Sequence, residues 1–327
     1  MNAEAGPRSD RVVVGYDGSE PAAAAVDWAA AEAHRRGVPL TVVHVGDEVR
    51  VVGALPEEPP EHVGRGRAAA ERITGDGVER ARKVADDLEV TGRTVFARAA
   101  STLVAASKDA SLVVVGTRGR GEVTAALLGS VAFAVSEHAH CPVVVVPASA
   151  AALPGPDRPV VVGIDTWPRS ERPARFAAAV ASEASAPLEM VSAYRAAEPG
   201  SDVPDSSWAL EAEGGVQFEG PARAAALEAL AAASVAMHEL YLGLEVRTAA
   251  VEGLPAQVLA DQARGCGLLV VGARGSGGFA GLRLGSIAHA VLHDASSAVA
   301  VLSPVAVVQT DAADDDDPIG DDAGTAG

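Results

Sequence analysis

A four-residue signature, Gly-x2-Gly-x9-Gly-Ser, occurs twice in this 327-residue chain, each time directly behind an apolar run. The first copy follows Leu112-Val113-Val114-Val115 and uses Gly116, Gly119, Gly129 and Ser130. The second follows Leu268-Leu269-Val270-Val271 and uses Gly272, Gly275, Gly285 and Ser286. Short Val/Leu runs read as strands buried on both faces, which is how parallel sheets read. Glycines behind such a strand let backbone amides approach an anion, and a serine opening a helix adds the positive end of the helix dipole. A cradle of this kind, present twice, constrains the chain to two copies of one phosphate-binding α/β plan. Other phosphate loops are excluded. No Gly-x4-Gly-Lys-Ser/Thr is present, and the loose dinucleotide match at Gly275 to Ala280 lacks the acid that should follow it.

The rest of the chain restarts in step with the signature. Arg11 to Asp17 is a strand running into a turn. Ser19 caps the next helix, Pro21 fits its first turn, and Gly37 stops it. A strand over 39–45, a helix over 67–88 and a strand over 90–98 follow, and Ser101 caps a shorter helix. The glycine strand, a helix from Ser130 and a closing strand around Val143-Val144-Val145-Val146 complete the unit. After a linker holding Pro154, Gly155 and Pro156, the plan resumes at Val160-Val161-Val162-Gly163-Ile164-Asp165. Strands alternating with helices predict doubly wound parallel sheets. The expected division is a first domain over 9–147, a second over 159–304 and a disordered acidic tail over 305–327. The acids shift by 148 positions between the copies and the glycines by 156, so eight added residues are expected in the loop from Arg195 to Gly220.

Composition narrows the partners. Hydrophobic residues make up 48% and aromatics 3%, so the cores are built from Val, Ala and Leu. A formal charge of −18, seven aspartates of which lie between Asp311 and Asp322, argues against nucleic acid or an anionic membrane. The two cysteines have no metal-ligand spacing, no apolar run is long enough to span a bilayer, and the polar first residues do not resemble a signal peptide. A soluble cytoplasmic protein is the expectation.

Taken together, these motifs resemble the universal stress protein family in its tandem two-domain form, over nearly all of residues 9–305. The glycine signature resembles that of the family's ATP-binding branch. Val14-Gly15-Tyr16-Asp17-Gly18-Ser19, His44-Val45 and Cys141-Pro142-Val143 add to the likeness. The resemblance implies two Rossmann-like, doubly wound five-stranded parallel sheets in order 3-2-1-4-5, paired through their final strands, and leaves a further homodimer of whole chains open. It implies ATP, with or without Mg2+, as the ligand. Asp17 would contact the adenosine side, with Gly15 ahead of it. Val45 would lie near adenine, Gly116 and Gly119 would flank the ribose and phosphates, and Gly129, Ser130 and Val131 would hold phosphate oxygens. The matching positions of the second half are Gly163, Asp165, Ala193, Gly272, Gly275, Gly285, Ser286 and Ile287. Arg118 and Arg274 lie within the glycine loops, where a planar guanidinium suits phosphate.

The second half departs from the pattern after its acid, with Thr166-Trp167-Pro168-Arg169 where the first has Gly18-Ser19-Glu20-Pro21. An indole beside the crevice either packs, blocks a base or stacks on one, so the sites are expected to be unequal. The leading functional expectation is an ATP-binding regulatory protein of the stress response, acting through conformation or oligomer state on protein partners that the sequence does not identify. A slow ATPase or nucleotidyl-transfer enzyme and a cyclic AMP-binding module are the alternatives. No general base can be named, which weighs against the enzyme.

Overall fold

The computed structural model of the chain describes residues 10–46, 60–119, 128–149, 153–195, 220–275, 284–294 and 296–303. The acidic tail, and with it the expectation of disorder over 305–327, lies outside the described residues. So do the middles of both glycine loops, 120–127 and 276–283.

The first half runs β1 (Val12–Gly15), α1 (Glu20–Arg36), β2 (Leu40–Gly46), α2 (Pro60–Val84), β3 (Val90–Phe96), α3 (Ala99–Ala106), β4 (Leu112–Gly116), α4 (Ser130–His138) and β5 (Val143–Val146). The second half repeats it as β6 (Val160–Gly163), α5 (Glu171–Glu183), β7 (Leu188–Tyr194), α6 (Pro221–Leu240), β8 (Val246–Glu252), α7 (Pro255–Gln262), β9 (Leu268–Gly272), α8 (Ser286–Asp294) and β10 (Val299–Leu302). Local chemistry sets several of the ends. Ser19 Oγ accepts the Ala22 amide, and Gly37 closes α1 in the left-handed region at φ 64°, its amide returning to the last turn. The expected cap of α3 is corrected. Arg98 is the N-cap and Ser101 lies inside the helix, its hydroxyl turned back onto the Arg98 carbonyl.

The strands form one ten-stranded sheet in the order β3-β2-β1-β4-β5-β10-β9-β6-β7-β8. Each half, read inward from its outer edge, is 3-2-1-4-5 and wholly parallel. The halves join where β10 meets β5 antiparallel, with Ala300 opposite Val144. These two residues are equivalent in the repeat, so the join is a pseudo-two-fold axis. Side chains alternate across the strands. Val12 and Val14 enter one apolar layer with α1, α2, α5 and α6, while Val13 enters the other with α3, α4, α7 and α8. Both layers run through both halves.

Equivalent residues differ by 148 through β2 and β7, and by 156 from α2 and α6 onward. The eight added residues therefore fall between β7 and α6. Winding reverses between β1 and β4, and again between β6 and β9. In open α/β sheets the crevice at the carboxyl ends of such strands is where ligands bind.

Candidate functional site

At the first crevice β1 ends in Gly15, and the chain turns through Tyr16 and Asp17 into α1. The Asp17 carboxylate is half-buried, and its Oδ1 accepts the Ser19 amide at 2.9 Å. Its Oδ2 faces the glycine loop. A Cβ placed on Gly119 would stand 2.6 Å from that oxygen. The acid and the second glycine of the signature, 102 positions apart in sequence, thus meet at the switch point.

His44 holds this turn from below. Its Nδ1 lies 2.8 Å from the Tyr16 carbonyl, and the ring is buried. As β2 pairs Val43 with Gly15, residue 44 falls one step beyond the last paired residue. In the sequence His44 stands out only as part of the family likeness with Val45; the strand register is the signal for its contact with the turn. The matching residue in the second half is the buried Ser192, which is too short to copy the contact.

The remaining candidates divide into those aimed at the crevice and those spent on packing. Ser130 and Val131 open α4, and Ser286 and Ile287 open α8. The first amides of a helix lack intrahelical acceptors, so both helices present donors. Gly129 and Gly285 place these turns differently from the expectation. Their amides donate to the Thr117 and Ala273 carbonyls at 2.8 and 2.6 Å, closing each loop on itself. Those two glycines shape the cradle, and their own N–H groups are engaged.

Gly116 has a structural task. A Cβ there would lie 2.7 Å from the Pro21 backbone, so its absence lets the first turn of α1 sit against β4. Gly15 and Gly163 likewise give room to Leu103 and Leu259, each 3.0 Å from the Cβ that is missing. Val45 and Ala193 are half-buried at corresponding positions of β2 and β7. Arg118 is half-buried and Arg274 exposed, each directly before the second glycine of its signature.

The second crevice repeats the pairing more loosely. A Cβ on Gly275 would lie 3.2 Å from Asp165 Oδ2, and Asp165 is exposed. The turn into α5 is longer. Ser170 Oγ accepts the Asp165 amide at 3.0 Å, and the Ser170 amide returns to Thr166. Trp167 is partly buried against the apolar layer, and the Arg169 guanidinium reaches the Gly275 carbonyl at 3.4 Å. Of the alternatives open for Trp167, packing is the contact observed.

For a nucleotide the fit is direct: a carboxylate at the β-strand end, a glycine whose side chain would fill the space beside it, and a helix N-terminus at the same crevice. For Mg2+ each site offers one carboxylate. No cluster of three or more His, Cys, Asp or Glu side chains able to hold a metal occurs among the described residues, so Mg2+ would arrive with phosphates. Among the described residues no helix is long and apolar enough to cross a membrane.

Residues 8–147 and 158–303 each match the model of the universal stress protein family. A universal stress protein of Mycobacterium tuberculosis is 36% identical over 300 residues, covering 89% of this chain and 96% of the relative. A second from that organism is 34% identical over 295 residues, covering 89% and 95%. Among solved structures, a universal stress protein from Archaeoglobus fulgidus has a TM-score of 0.59 at 18% identity, covering 90% of this chain and 96% of that one. The last likeness is one of fold.

Proposed function

The chain belongs to the universal stress protein family, and from that premise we propose that it is an ATP-binding regulator of the stress response, with the first crevice as its main site. The observation that carries this reading is the meeting of Asp17 with Gly119 at the switch point of the first sheet. The same acid-to-glycine pairing recurs at Asp165 and Gly275, which supports a shared ligand rather than a local turn.

In this reading Asp17 takes the sugar hydroxyls, Val45 lies beside the base, and the open amides of Ser130 and Val131 with the Ser130 hydroxyl take phosphate oxygens. Arg118 adds positive charge near the phosphates in an otherwise acidic chain. Bound nucleotide then favours whichever conformation or assembly binds it better, and partners read that shift.

The test is thermal unfolding of nucleotide-free protein with ATP and with Mg-ATP, alongside native mass spectrometry. At about 1,000 times its dissociation constant, ATP adds roughly 4 kcal/mol to the stability of the binding unit. No shift at saturating ATP overturns the reading. A larger shift with cyclic AMP transfers it to a cyclic-nucleotide module, and steady phosphate release transfers it to an ATPase.

A further inference from the structure

The two crevices are duplicates in backbone but not in charge. Burial aligns α5 with α1 at an offset of 148: Ala25, Ala29 and Ala33 of α1 face the core, and so do Pro173, Ala177 and Ala181 of α5. That alignment puts Glu20, Pro21 and Ala24 at the mouth of the first crevice, and Pro168, Arg169 and Arg172 at the second. One acid is lost and two guanidinium groups are gained. Arg169 is exposed and donates to the Gly275 carbonyl at 3.4 Å, so it spans from the turn after β6 to the glycine loop. Arg172 donates to the Ser303 carbonyl, directly past β10. Arg274, exposed, stands beside Gly275. The acids at this mouth are Asp165 and Glu171, and Glu171 pairs with Arg175 at 2.7 Å. The chain leaves the fold at the same place. β10 runs parallel to β9, both end at the second crevice, and the Ala273 amide bonds to the Leu302 carbonyl. Since β5 and β10 are antiparallel, the first crevice opens on the opposite edge of the sheet. Beyond Ser303 the sequence carries Asp311, Asp314, Asp315, Asp316, Asp317, Asp321 and Asp322, with no Lys or Arg. The corresponding exit from β5 carries no charge before Asp157.

We propose that the aspartate-rich segment 311–322 docks on Arg169, Arg172 and Arg274 of its own chain and covers the second crevice, an internal polyanion in the place of a ligand's phosphates. Neighbouring strands lie about 5 Å apart, so the crevice between β9 and β6 is within roughly 10 Å of the end of β10. Asp311 stands eight residues past Ser303. At 3.3–3.6 Å per residue that is a reach of up to about 27 Å. The tether keeps the acids at an effective concentration in the millimolar range, so ion pairs that are weak one by one suffice to hold the segment. The amides that open α8 at Ser286 add donors at the same crevice. The first crevice, on the far edge and with exposed Glu20 at its mouth, stays open. An anion that enters the second crevice has to displace the segment and so releases it. That competition rests on the phosphate-binding reading of the crevice; the docking rests on charge and place alone.

The test uses the full chain, first without nucleotide. In Arg169→Lys, a water-soluble carbodiimide couples the amine at position 169 to an aspartate of 311–322, read by mass spectrometry of the linked peptides, and high salt suppresses the coupling. Arg118→Lys, at the first crevice, gives no such link. Inorganic tripolyphosphate, which carries no base, is then titrated by calorimetry. Changing the seven tail aspartates to Asn strengthens its binding about tenfold, the scale of two or three exposed ion pairs. The gain vanishes when Arg169→Gln and Arg274→Gln are added, with circular dichroism the same throughout. No link from 169, or a link from 118 as strong, overturns the docking. No gain with Asn, or an equal gain in the chain lacking both arginines, overturns the covering of the crevice, since the aspartates then act only through net charge. A link from 169 in a chain that ATP does not stabilise leaves the docking standing and removes the nucleotide reading instead.

Discussion

Gly116 and Gly119 are two glycines of one signature, yet they answer to different neighbours. Gly119 faces a carboxylate at the end of a side chain that can swing, whereas Gly116 faces the backbone of Pro21, which cannot. Gly116→Ala is therefore expected to cost about 1–3 kcal/mol of stability by overpacking. Gly119→Ala leaves the denaturation midpoint nearly unchanged and weakens ATP at the first site by displacing Asp17. Gly275→Ala, with a gap of 3.2 Å against 2.6 Å, has the smaller effect on its own site. Denaturant unfolding read beside calorimetric titration separates these outcomes. The pair also marks where sequence stopped. Spacing singled out the loop, but which glycine faces the acid and which faces a helix depends on a backbone that arrives from elsewhere in the chain. The same applies to His44, whose contact with the Tyr16 carbonyl needs the strand register. The acids carry a second expectation. Asp17 is half-buried and accepts the Ser19 amide, while Asp165 is exposed beside a longer turn. Asp17→Ala should lose more ATP affinity than Asp165→Ala in calorimetry. Equal losses would mean that the longer turn and Trp167 do not weaken the second site.

Helices α1 and α5 are equivalent elements that meet across the pseudo-two-fold axis with unlike residues. Arg35 and Glu183 occupy the same position of the repeat and bond to each other at 2.9 Å. Behind them Glu32, with no exposed surface, binds both Arg35 and Arg36, and the Arg36 guanidinium lies over the Phe176 ring. Burial alone would lower the pKa of Arg35; Glu32, aided by Glu183, outweighs this and raises it. Magnitudes rank these bonds. Glu183 is half exposed, so Glu183→Arg should cost under about 1 kcal/mol. Arg35→Glu sets a second carboxylate beside the buried Glu32 and should cost about 3 kcal/mol, the low end for breaking a buried pair, since Arg36 still reaches Glu32. The charge-swapped double variant should stay near the loss of Arg35→Glu alone, because Glu183→Arg does nothing for Glu32. Full recovery in urea unfolding would show that the bond across the axis, and not Glu32, dominates. None of this was legible beforehand: periodicity placed α1, but a buried acid between two arginines looks in sequence like any charged helix end.

Across the whole molecule the axis is complementary in each layer. Arg35 faces Glu183 in one helix layer, Val144 faces Ala300 in the sheet, and Phe133 meets His289 edge-on at 5.7 Å in the other helix layer. Each pair joins equivalent positions of the two halves. Alternating strands and helices made doubly wound parallel sheets readable, while the strand order within each half was implied by the family resemblance, as was the meeting of the closing strands, for which an apolar final strand also argues. What sequence did not disclose is that both apolar layers pass through the join, so neither half owns a closed core. Two domains linked end to end would melt separately, each stabilised by its own ligand. A single sheet with shared layers should instead unfold in one cooperative step, with calorimetric and van't Hoff enthalpies equal. ATP bound at the first site should then raise the melting temperature of the whole chain, and Asp17→Ala should remove most of that rise without splitting the transition. Two resolved transitions, with only the one belonging to residues 10–146 moved by ATP, would show that the continuous sheet does not couple the halves.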